Sequence, residues 1–154
     1  METEKIAREV NYIIIHNLDA EDAYKEAAAN VENDKLRNAL LEEADKRLAY
    51  AHELQRELEE IEIGEKIADS ISMGAIFNRI WVEIKGLFTT QNDDAIIDEC
   101  RKGDDVTMIA YDTILNIGDG FLPPRIYNII SKQRQEIALT YQALIRFHEL
   151  KTTP

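Results

Sequence analysis

Four stretches of this chain place apolar residues at alternating steps of three and four, and that spacing decides what it can fold into. In the first stretch Ile6, Val10, Ile13, Ala20, Tyr24, Ala27 and Val31 fall on one stripe. A helix turns once in about 3.6 residues, so the stripe gathers on one face that must be buried against other helices. The second stretch carries Leu40, Ala44, Ala51, Leu54, Leu58 and Ile61, and the third Ile96, Cys100, Gly103, Thr107, Ala110 and Ile114. The fourth has Ile126, Ile130, Gln133, Ile137, Leu144 and Phe147, with Tyr141 beside them. No run alternates as a half-buried strand would. Six Gly and three Pro in 154 residues also leave few turns for an all-β fold.

The expected long helices cover about 3–31, 34–61, 93–117 and 123–150, each roughly 40 Å long at 1.5 Å per residue. A shorter helix is expected over 73–88, with Ile76, Phe77, Ile80, Trp81, Ile84 and Leu87 on a broad apolar face. Asn33 or Asp34 can cap the second helix, Ser72 the short one, and Asn92 or Asp93 the third long one. A link of about three residues makes the first two helices an antiparallel hairpin. Gly118-Asp119-Gly120-Phe121-Leu122-Pro123-Pro124 is the strongest punctuation, with proline placed where a helix can begin. The fold expected is all-α, a four-helix bundle with a crossover connection carrying the short helix, as a single domain over 1–154.

Thirty acids against eighteen bases leave a net charge of −12. Binding to nucleic acid or anionic lipid runs on Lys and Arg, so neither partner is expected. The first 62 residues hold 17 acids and 8 bases, while the fourth long helix is basic through Arg125, Lys132, Arg134, Arg146 and Lys151. Cys100 is the single cysteine, so no disulfide forms within the chain. The opening residues, Met1-Glu2-Thr3-Glu4-Lys5, have no basic start followed by an apolar run. A cytoplasmic location is the expectation.

A crossover bundle raises the question of a di-iron centre, which needs a Glu from each of two helices and Glu-x-x-His from each of the other two. Residues three apart share a helix face, so that spacing aims a carboxylate and an imidazole at one metal. The residues three before His16, His52 and His148 are Ile13, Ala49 and Ile145, so the pattern occurs nowhere. Arg47 interrupts the second stripe with a cation where a metal would need an anion. Glu21, Glu43, Glu99 and Glu136 flank the stripes near mid-bundle, but Glu43 precedes Arg47 by four residues and reads as its intrahelical partner.

Asn17, Arg47 and Gln133 are the polar positions on otherwise apolar stripes, expected to hydrogen-bond together and with Glu99 or Glu136, and a buried Arg47 is expected to have a carboxylate partner or a route for its head to water. His16 and Asp19 have metal-like spacing in reversed order, but the histidine is expected at the surface or partly buried. Cys100 is expected to be a buried, inert thiol. Trp81 and Phe77 are expected to pin the crossover to the bundle. No catalytic, cofactor-binding or metal-ligating residue is assigned.

The segment from Ser72 to Lys85 resembles a bacterial group of ferritin-like four-helix-bundle domains of unknown function, through Gly74, Arg79, Trp81 and Lys85. Asp93-Asp94 followed by Glu99, Gly103 and Asp104 is similar to the group's next element, although Asp104 stands where Glu is commoner. Asp19, Tyr24, Ala27-Ala28, Gln133 and Ile137 extend the resemblance over about residues 5–150. What it implies is a ferritin-like bundle with no assigned activity, in a group that generally lacks the full di-iron ligand set. The expected function is non-catalytic, exercised through an unidentified protein partner or a homodimer, with a stress response as one setting. The alternative is a metal-dependent oxidoreductase or iron-handling protein built on Glu21, Glu43, Glu99 and Glu136 with His16 or His52.

Overall fold

The computed structural model describes residues 2–61, 79–90, 92–118 and 120–152. Within them the chain is all-helical: α1 (Glu2–Asn30), α2 (Asp34–Glu60), α3 (Arg79–Leu87), a 3-10 turn (Phe88–Thr90), α4 (Asp93–Leu115) and α5 (Pro124–Thr152). No strand occurs among the described residues. The expected break over 62–72, the Ser72 cap, Gly74, Phe77 and the first turns of the 73–88 helix lie outside them.

Local chemistry sets the helix ends. The Asn33 side chain accepts a hydrogen bond from the Leu36 N–H at 2.9 Å, and Asn92 does the same for Ala95 at 2.9 Å. Each cap satisfies a first-turn donor that no carbonyl inside the helix can reach. α4 ends after Leu115: the Asn116 N–H still reaches the Asp112 carbonyl at 3.0 Å, but the Ile117 N–H bonds only three residues back, to Ile114 at 3.4 Å. Gly120 takes the following turn at φ 79°, where a side chain would be strained, and Pro124 opens α5.

The stripes read from the sequence are buried along nearly their whole length, with Ile6, Ile61 and Phe147 half-buried at the ends. α1 packs most extensively on α2 and also meets α3 and α4, while α5 packs on α4 and α2. The contacts also give direction. On α2, Glu43, Tyr50 and Glu57 meet Thr140, Glu136 and Arg125 of α5. On α4, Arg101, Tyr111 and Asp112 meet Tyr141, Gln133 and Arg134. One numbering rises as the other falls, so α5 is antiparallel to both, and α2 and α4 run the same way.

The apolar core has two parts. One gathers Ile13, Leu54, Leu58, Tyr111, Ile114 and Ile130, the other Leu36, Leu40, Trp81, Ile84, Ile96 and Leu144. Between them, near mid-bundle, lies the polar belt described next. No described helix is long and apolar enough to cross a membrane.

Candidate functional site

Arg47 is fully buried on the inward face of α2. Its Nε donates to Glu43 at 2.7 Å, one turn back on the same helix, and its Nη1 donates to Asp104 of α4 at 2.8 Å. The Tyr24 hydroxyl of α1 donates to the other oxygen of Asp104, and the Tyr24 ring lies 5.2 Å from the guanidinium carbon. From α5, the Thr140 hydroxyl donates to the remaining oxygen of Glu43 at 2.8 Å. All four long helices therefore contribute to one buried group of two carboxylates and one cation.

Burial alone would pull the Arg47 guanidinium down, but Asp104 and Glu43 outweigh it and hold the cation well above its ordinary value. Burial, then the Asp104 charge, pushes the Tyr24 phenol up, so it stays protonated as a donor. A charge pair removed from water is costly unless its remaining lone pairs are occupied, and here the two hydroxyls occupy them. One buried donor, Arg47 Nη2, has no hydrogen-bond partner among the described residues.

A second group lies two turns along. Asn17 donates to the Tyr111 hydroxyl at 2.7 Å, and Tyr111 donates to Gln133 at 2.8 Å. The Gln133 amide then reaches Glu53 at 2.9 Å and the Tyr50 carbonyl at 3.3 Å. The expectation that Asn17, Arg47 and Gln133 share one network is therefore corrected. Asn17 and Gln133 meet through Tyr111, while Arg47 belongs to the other group.

The flanking carboxylates do not converge. Glu43 pairs with Arg47 as its spacing suggests, but neither Glu99 nor Glu136 is that cation's second partner. Glu99 takes Lys102 at 3.0 Å, Glu136 accepts from the Tyr50 hydroxyl at 2.6 Å, and Glu21 pairs with Lys25 at 2.6 Å. The second partner is Asp104, which the sequence reading missed. A signal was present, since Asp104 and Tyr111 also fall at steps of three and four between Cys100, Thr107 and Ile114 of the counted stripe.

His16 is a further correction, because only 1 % of it is exposed. Its ring meets Tyr12 edge-on at 4.8 Å, neither nitrogen has a hydrogen-bond partner among the described residues, and burial pushes its pKa down to about 4. Asp19, one turn on, is pushed up to about 6, first by burial and then by the neighbouring Asp22 charge. His52 is exposed. Among the described residues no group of three or more His, Cys, Asp or Glu side chains is placed to hold a metal ion.

Cys100 is buried, and burial, then Asp104, pushes its thiol well above the ordinary range. Trp81 is buried against α1 and α4: its N–H donates to the Thr107 hydroxyl at 3.3 Å and its ring lies 5.9 Å from that of Tyr24. Lys85, one turn on, pairs with Asp22 of α1. Asp93 braces the turn between α1 and α2, accepting the Glu32 and Asn33 backbone N–H groups at 2.8 and 3.0 Å.

A family profile described as a domain of unknown function (DUF2383) matches residues 5–117. The chain belongs to this family. The match takes in α1 through α4, including Tyr24, Glu43, Arg47 and Asp104, and it ends before α5, which supplies Thr140. Among curated proteins none matches this chain.

Proposed function

We propose that this chain is a non-catalytic bundle of the ferritin-like kind, working in the cytoplasm by holding a protein partner or a second copy of itself. The shared direction of α2 and α4 supports the ferritin-like reading, since two such helices need a crossover between them. The same supports the resemblance to the bacterial ferritin-like group.

Arg47 carries the non-catalytic part. A di-metal centre in such a bundle needs four carboxylates and two imidazoles facing one point. Here the carboxylates that face inward from α2 and α4 are already bound to a guanidinium, and α1 and α5 present the hydroxyls of Tyr24 and Thr140. His16 lies eight residues from Tyr24 on α1, about two turns away. This donor set does not fit a pair of metal ions, and no step is derived through one.

The test is elemental analysis of protein grown with added iron and manganese and purified without chelator, followed by an anaerobic ferrous titration. The expected result is metal far below one ion per chain and no saturable ferrous binding. Near-stoichiometric metal, or a saturable oxygen-dependent absorbance, would overturn the reading.

A further inference from the structure

Ile109 on α4 and Leu139 on α5 are the most exposed large apolar side chains among the described residues, at 64 and 69 %. Each points to solvent from the side of its helix away from the core. A cleft of about 510 Å³ opens there, lined by Leu139 with Leu115, Ser131, Arg134, Gln135 and Ala138. A single exposed apolar side chain is ordinary on a surface, but Leu139 joins Leu115 and Ala138 in the apolar wall of an open cleft, the kind of patch a partner covers.

Charge selects the occupant. The α1–α2 side, with its 17 acids and 8 bases over residues 1–62, repels another acidic chain. Along the two helices the signs separate. The exposed charges of α5 are the bases Arg125, Lys132 and Arg146, while α4 exposes the acids Asp98 and Asp105 beside one base, Lys102. A two-fold axis parallel to the helices would set each α4 against the other copy's α5, so acid meets base on both sides. Heights then follow from pairs inside the chain, where Arg101 lies level with Tyr141 and Tyr111 with Gln133. Ile109 comes level with Gln135 and the cleft of the other copy, and Asp98 with its Arg146.

We propose that the outer face of α4 and α5 seats a second copy of this chain, with each Ile109 entering the cleft beside the other copy's Leu139. This inference rests on the binding reading above and names the partner.

The experiment is sedimentation velocity on the full chain up to about 0.5 mM, a range in which weak specific contacts populate. It compares the natural protein with I109E/L139E and with V82E, which alters an exposed apolar residue on α3. The natural protein and V82E should dimerise, and I109E/L139E should weaken the dimer at least about tenfold, as loss of a central contact does. A natural protein that stays monomeric throughout overturns the proposal. So does a dimer equally strong in I109E/L139E, which would place self-association on another surface and leave the binding reading standing. Circular dichroism accompanies each sample. If the Glu pair lowers helicity, I109S/L139S carries the same comparison.

Discussion

The six-membered ring of Trp81 occupies the space that a side chain on Gly103 would need. A Cβ built there would lie 2.4 to 2.6 Å from three ring carbons. Alanine favours a helix over glycine by about 1 kcal/mol, yet Gly103→Ala should destabilise the protein by about 1–3 kcal/mol, because the clash meets a rigid buried ring. Trp81 is the only tryptophan, so its fluorescence reads the event directly. The expected signature is a red-shifted emission and a lower urea midpoint. An unshifted spectrum would mean that α3 docks without needing the glycine.

Arg47→Met should be among the most damaging substitutions in the chain. It keeps the bulk but leaves Glu43 and Asp104 buried without their cation, at a cost of about 3–5 kcal/mol. Adding Asp104→Leu and Glu43→Leu should recover much of that loss, since an apolar replacement of a buried ion group is often neutral or better. Urea denaturation of the single and triple variants measures both. A triple variant no more stable than the single one would show that the pair contributes more than its own repair.

Tyr111→Phe removes one oxygen that serves two neighbours, accepting from Asn17 and donating to Gln133. Leaving both buried amides short of a partner should cost about 1–3 kcal/mol. Thermal unfolding checks the value, and Tyr127→Phe, at a 45 % exposed position, should change little.

His16 and Asp19 should titrate against each other. His16 is held neutral down to about pH 4 in the fold but takes a proton near 6.5 when unfolded, so its contribution is lost as pH falls between those values. Asp19 is raised to about 6, so its ionisation weakens the fold as pH rises from 3.8 through 6. The two slopes oppose each other in one window. Relative to the natural protein, His16→Leu should gain on the order of 2–3 kcal/mol between pH 7 and pH 4, and Asp19→Asn should lose ground over the same range. Urea midpoints across that range test both, and a parallel response of the two variants would refute the opposition.

Cys100 should resist a water-soluble thiol reagent at pH 8 in the native protein and react fully in denaturant. Its burial and raised pKa both withhold the thiolate that reacts. Rapid native labelling would show that the α4 core opens readily.

The stripes were legible because period and burial are linked: Ile13, Leu54, Ile114 and Ile130 are core residues by spacing alone, and they are core residues in the structure. The Asn33 and Asn92 caps follow from the same local logic. Asp104 was not legible as a partner of Arg47, because a period assigns a face but not the residue across the interface. Gly103 occupies the counted stripe position with no side chain because the Trp81 ring fills that space, and the inward carboxylate belongs to the next residue. His16 failed for another reason. α1 meets three helices, so its buried arc is wider than one stripe. The resemblance extended to about residue 150, whereas the family match ends at 117, which leaves the Thr140 contact outside the shared stretch.

The arginine between Glu43 and Asp104 also indexes the bundle. If α2 slipped one turn along α4, its guanidinium would come level with Cys100 or Thr107, and the buried Asp104 would lose its counter-ion while Glu43, on the same helix, kept it. Apolar stripes alone tolerate such a slip, because one leucine height resembles the next. The charge at mid-bundle has a single matching height, so two polypeptides carrying α1–α2 and α3–α5 would hold the two halves of one key and should reassemble in one phase.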